Sequence, residues 1–244
     1  MTDVTTDVAP HATLHYIFDP LCGWCYAAAP LVDAAREVTG LAVAFHGGGM
    51  LAGANRRAIT SQWRDYVMPH DRRIAQLTGQ PFGEAYFNGL LRDTQAVMDS
   101  APPTTAVLAA EALAGRGLDM AHAVQHAHYV DGLRIAEPEV LVRVATGLGL
   151  DAQAFRTAYA QSEGAATQQH FADSRRLLAQ VGGQGFPTFV LALPDGTARV
   201  LDIGPWLGRA DGWQVELQRL AGGASSAKPS GAEPQACGPD FCAT

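Results

Sequence analysis

Cys22-Gly23-Trp24-Cys25 lies where one residue pattern gives way to another. Upstream, residues 14–18 (LHYIF) form a short apolar, β-prone run ended by Asp19-Pro20, the pattern of a buried strand. Downstream, Ala27, Ala28, Leu31, Ala34, Ala35 and Val38 recur at helical spacing as far as Gly40, with Pro30 inside the run to kink it. Residues 41–45 (LAVAF) return to the strand pattern, so the first fifty residues predict a βαβ unit. The cysteine pair then sits at a strand-to-helix turn. A cysteine reacts as its thiolate, and the unpaired N–H groups and dipole of a helix N-terminus favour an anion there. Cys22, at the helix mouth, reads as the nucleophile. Cys25, one turn in, reads as the thiol that attacks the mixed disulfide and releases product. Half a zinc site or two structural thiols are the other readings of such a pair; the strand before it and the helix after it favour redox chemistry.

From residue 51 to 182 no strand pattern is evident. Ala- and Leu-rich helical stretches follow one another at about 57–77, 81–91, 103–114, 119–130, 138–146, 151–159 and 165–181, punctuated by Gly115, Gly117, Gly147 and Gly149. After Gly185 the β signal returns. Residues 188–193, a turn at Pro194-Asp195-Gly196 and residues 198–203 read as a hairpin, and residues 208–220 as a last helix. The expected α/β organisation is residues 1–50 as β-α-β with the cysteine pair, 51–182 as an all-helical insertion, and 183–221 as β-β-α. Residues 222–244 read as a flexible tail, a Gly/Ala/Ser/Pro linker ending in Cys237-Gly-Pro-Asp-Phe-Cys242.

Composition excludes several partners. With 17 Lys and Arg against 24 Asp and Glu, the net charge is −7, and no basic cluster interrupts it, so no nucleic acid is expected. No run approaches the roughly 18 apolar residues of a membrane span, so no membrane is expected. The N-terminus carries Asp3 and Asp7, no early Lys or Arg and no apolar stretch, which reads as no secretory signal and a cytoplasmic protein. Four cysteines in two tight pairs do not make a disulfide scaffold. No heptad run suggests an obligate oligomer, so a monomer is expected.

The second motif is Gly185-Phe186-Pro187-Thr188, just before the hairpin strand. Together with residues 19–26 (DPLCGWCY) and 183–190 (GQGFPTFV), it resembles the DsbA family of thioredoxin-fold proteins, and within it the FrnE-like branch. Pro30, residues 46–51 (HGGGML) and 125–132 (QHAHYVDG) extend the likeness to about residues 13–221. The resemblance implies a thioredoxin fold with a large all-helical insertion. It implies that Pro187 is a cis-proline packed against the cysteine pair and that Phe186 presents its backbone to a bound peptide. It implies a thiol–disulfide oxidoreductase or isomerase acting on protein disulfides, needing no cofactor, and recycled by glutathione or a thioredoxin system. A similar tail C-x4-C occurs in some FrnE-like proteins, which suggests Cys237 and Cys242 as an accessory redox pair. A linker of about 15 residues reaches on the order of 20 Å, enough to bring that pair to Cys22 at around millimolar effective concentration.

Between the cysteines stand Gly23 and Trp24, with no histidine, so one usual source of strong thiolate stabilisation is missing. Trp24 is expected at the surface, in contact with substrate or packed. His122 and His126, spaced i, i+4, share a helix face and could bind metal, but no neighbouring Cys, Asp or Glu completes a site, and solvated histidines are expected instead. One of His122, His126 and His128 could face the active site through the likeness of that stretch. Two other functions compete. A kappa-type glutathione-dependent isomerase or transferase shares the insertion but generally has Ser where this chain has Cys22. A thiolate metal-binding protein would use Cys22, Cys25, Cys237 and Cys242 together.

Overall fold

In the computed structural model, which describes residues 12–222, the sheet is built around β1 (Ala12–Phe18). Residues 16–18 are all buried, as a central strand covered on both faces requires. β2 (Leu41–Gly47) pairs with β1 in parallel, Leu14 opposite Val43. β5 (Thr188–Ala192) pairs antiparallel on the other side, Tyr16 opposite Phe189. β6 (Ala198–Leu201) closes the order β2-β1-β5-β6. The β5–β6 turn runs through Pro194-Asp195-Gly196, where Gly196 takes φ +85°, a value that glycine adopts without steric cost.

One core face can be followed ring by ring. Tyr16 lies 4.7 Å from Phe18 and 4.9 Å from Phe189, and Trp213 meets Phe189 edge-on at 5.9 Å. Trp213 belongs to the last helix, α9 (Ala210–Ala221), and its indole N–H donates to Leu31 O at 3.0 Å. That bond ties α9 to α2 (Ala29–Arg36) and satisfies the one polar group of a buried ring.

The expected kink near Pro30 is a full break. α1 (Gly23–Ala27) ends at Ala28 and α2 begins with Pro30 in its first turn. Pro30 has no N–H to give the carbonyl of Tyr26, four residues back. Gln80 Nε2 donates to that carbonyl instead, at 2.8 Å.

Between β2 and β5 lies the helical insertion: α3 (Ser61–Thr78), α4 (Ala101–Ala114), α5 (Gly117–Tyr129), α6 (Pro138–Gly147), α7 (Ala152–Ser162) and α8 (Ala165–Gln180). Two details depart from the sequence reading. A ribbon of β3 (Arg57–Ala58) and β4 (Val97–Met98) pairs antiparallel, so the insertion is not wholly helical. Two residues per strand are too few for an alternating pattern to show. β3 also delays α3, whose start is fixed by Thr60 accepting from Trp63 N. The stretch at 81–91 is not a regular helix but a π-helical turn, Ala85–Gly89, followed by a 3₁₀ turn, Leu90–Arg92. Gly83 is pressed onto the end of α5, where a Cβ would stand 1.9 Å from Val130 O, and that contact sets the path before any helix begins. The expected tail with Cys237 and Cys242 lies outside the described residues.

Candidate active site

Cys22 is the N-cap of α1, in extended backbone conformation, and its carbonyl accepts from the N–H groups of Cys25 and Tyr26. The strand thus ends and the helix begins on the cysteine itself. The two cysteines are not joined by a disulfide. Both are buried, Cys22 at 1% exposure, so the expected helix mouth is closed over. The cover is the loop before β5. The Phe186–Pro187 peptide is cis, and Cys22 Sγ donates to Phe186 O at 3.5 Å. Cys25 Sγ accepts from Asp19 N, also at 3.5 Å.

Asp19 ties the turn to two other parts of the chain. Its carboxylate accepts from Leu21 N at 2.9 Å, Met50 N at 2.6 Å and Ser100 Oγ at 2.9 Å. Ser100 stands at the start of α4, so one side chain joins the cysteine turn, the loop after β2 and the insertion. Burial pushes the Asp19 carboxyl up to about 6, against these hydrogen bonds and the nearby charge of Arg175.

β2 ends on Gly47, the loop after it opens with Gly48 and Gly49, and the site uses their lack of side chains. A Cβ on Gly48 would stand 2.0 Å from the Phe186 ring, and one on Gly49 2.9 Å from the Phe171 ring. Arg175 of α8 donates to Gly48 O at 2.8 Å and Gly49 O at 2.6 Å, and His170 Nε2 accepts from Gly47 N at 2.8 Å. The insertion therefore grips the loop that seats Phe186.

Aromatic rings form the floor. Tyr26 stacks on Tyr129 at 4.8 Å, and Tyr86 meets Tyr129 at 5.3 Å. Tyr16 hydroxyl donates to Cys25 O at 3.1 Å. Burial holds the Tyr16 and Tyr129 hydroxyls well above the usual phenol range, reinforced at Tyr16 by Cys25 and Cys22 and at Tyr129 first by Tyr86 and Asp71. Against Gly23, from the insertion side, lies Asp71 of α3. A Cβ at Gly23 would be 2.7 Å from Asp71 Oδ1 and 3.1 Å from Ile74 Cδ1.

Cys22, Cys25, Phe186 and Pro187 thus converge from positions more than 160 residues apart. Trp24 is half-buried and packs against the core. His122 Nδ1 pairs with Asp33 at 3.1 Å and His126 Nδ1 with Asp131 at 3.3 Å, so the two share no ligand. His128 is the one that turns inward, its ring 4.7 Å from Tyr129, and burial lowers it to about 3. Among the described residues no group of three or more His, Cys, Asp and Glu could hold a metal. Sequence reasoning missed Asp71, Arg175 and the packing role of Gly48. Asp19 alone left a signal, by its place three residues before Cys22.

The chain matches the model of the DSBA-like thioredoxin domain over residues 13–203 and belongs to that family. It is a thiol–disulfide oxidoreductase of thioredoxin fold. Among solved structures it is similar to the cytosolic disulfide reductase DsbM from Pseudomonas aeruginosa, 56% identical with a TM-score of 0.80, covering 85% of this chain and 98% of that one. The same protein with GSH matches at 54% identity and TM-score 0.79, over the same shares. A 2-hydroxychromene-2-carboxylate isomerase, 19% identical with a TM-score of 0.55 over 88% of this chain and 100% of that one, shares the fold. No curated protein sequence matches. Among the described residues no helix is long and apolar enough to cross a membrane.

Proposed function

We propose that the protein is a cytosolic disulfide reductase that acts on protein and glutathione-mixed disulfides through Cys22 and Cys25. The observation that carries this reading is Cys22 as the N-cap of α1 with Phe186 O against its sulfur. The helix N-terminus supports the thiolate. The Phe186 backbone is the edge along which an extended substrate would lie. Cys22 thiolate attacks one substrate sulfur, the substrate S–S bond breaks, and the departing thiolate takes a proton. Cys25 then gives up its proton and attacks Cys22 Sγ, forming the Cys22–Cys25 disulfide and releasing the second substrate thiol. Two electrons and two protons pass to the substrate, and two molecules of a low-mass thiol such as glutathione restore the dithiol and leave joined as their own disulfide. The bound GSH of the DsbM structure supports that reductant. Retention of both cysteines speaks against a kappa-type isomerase.

The test is reduction of insulin disulfides and of a glutathione-mixed disulfide by full-length protein. Cys22→Ser should abolish both, whereas Cys25→Ser should accumulate mixed disulfides because the escaping thiol is gone. Undiminished turnover in Cys22→Ser would remove the assignment.

A further inference from the structure

Burying a carboxylate is costly, because the charge leaves water. The insertion nevertheless brings one to the cysteine turn. Asp71 is 5% exposed, its Oδ2 accepts from the Tyr86 hydroxyl at 2.7 Å, and its Oδ1 faces Gly23. Ile74, one turn on along α3, completes the seat. Tyr86 of the π-helical turn donates to this carboxylate, and the Tyr129 hydroxyl of α5 feels its charge together with that of Cys22 and Cys25; Cys22 directly precedes Gly23 in the chain. Burial holds both tyrosines in the neutral form near pH 7.

We propose that Asp71 is a positioning residue that makes the Cys22–Cys25 couple a reducing one, its carboxylate seated against Gly23 opposing negative charge on Cys22. This rests on the exchange role argued above. A like charge disfavours ionisation of its neighbour, so the reduced, thiolate-bearing form loses stabilisation relative to the disulfide. The electrons then leave the pair more readily. The helix N-terminus pulls the other way, and the missing histidine between the cysteines leaves Asp71 less opposed. The same seat excludes any side chain at position 23.

Full-length wild type, Asp71→Asn and Ile74→Ala are equilibrated with glutathione and glutathione disulfide, and the dithiol fraction is read after acid quench. Asparagine keeps the shape and still accepts from Tyr86, but carries no charge. The equilibrium constant should shift about tenfold toward the dithiol, equivalent to about 30 mV. Alkylation of Cys22 near neutral pH should speed up in parallel. Ile74→Ala loosens the same contact without changing charge and should move the constant by no more than about twofold, the spread of context effects on one contact. An unmoved constant in natively folded Asp71→Asn, or equal shifts in Asp71→Asn and Ile74→Ala, overturns the proposal. If Cys22→Ser is dead and these constants are unmoved, Asp71 alone is misassigned. If Cys22→Ser is active, the exchange reading itself fails.

Discussion

Asp19 has four jobs within a few ångströms: its amide reaches Cys25 Sγ, and its carboxylate holds Leu21, Met50 and Ser100. The unfolded chain ionises this group near 3.8, whereas burial raises it to about 6 in the folded protein. Between those values the folded state holds the proton more tightly. The stabilisation is complete below about pH 4 and is lost as pH rises through about 6. At about 1.4 kcal/mol per unit the loss approaches about 3 kcal/mol. Asp19→Asn removes the titration. The stability of wild type minus that of the variant, from denaturant unfolding, should therefore fall by about 3 kcal/mol from acid to neutral pH. A difference that stays flat across that range would mean the carboxylate is as well solvated folded as unfolded.

At the scale of elements, the loop after β2 is the joint between sheet, insertion and the Phe186 loop. Its fit depends on Gly48 lying under the Phe186 ring. Gly48→Ala should cost about 1–3 kcal/mol, the usual penalty for forcing extra volume into a packed contact. Because Phe186 O stands against Cys22, exchange should slow by about tenfold or more, as small misplacements of reacting groups do. Denaturant melts and insulin turbidity check the two effects. Much of this architecture was legible in advance. Residues 14–18 and 41–45 showed their strands because the runs are apolar and β-prone, the first ended by Asp19-Pro20. The hairpin showed through Pro194-Asp195-Gly196, and Pro187 through its family likeness. What stayed hidden has one cause. Asp71, Arg175 and Ser100 act on residues 48, 127 and 81 positions away along the chain, and no local pattern records such a contact. Asp71 even hides as one more charge on an amphipathic helix.

At the scale of the whole molecule, the described fold runs from β1 to α9. α9 is anchored by Trp213 to Leu31 and ends at Ala221. Residues 223–244 have the Gly-, Ala-, Ser- and Pro-rich composition of a linker. A chain ending at Gly222 should thus unfold within about 1 kcal/mol of full length, while recycling of the cysteine pair changes if Cys237 and Cys242 take part. A large loss of stability would show that the tail is docked. The position of Trp24 has a separate, optical consequence. Of the four tryptophans, it alone sits between the two cysteines; Trp63, Trp206 and Trp213 lie in other elements. A disulfide next to an indole drains its excited state, so light emitted by the protein should dim when the pair is oxidised and brighten when it is reduced. In Trp24→Phe that change should vanish while the remaining emission persists, which turns the residue between the cysteines into a label-free gauge of their state.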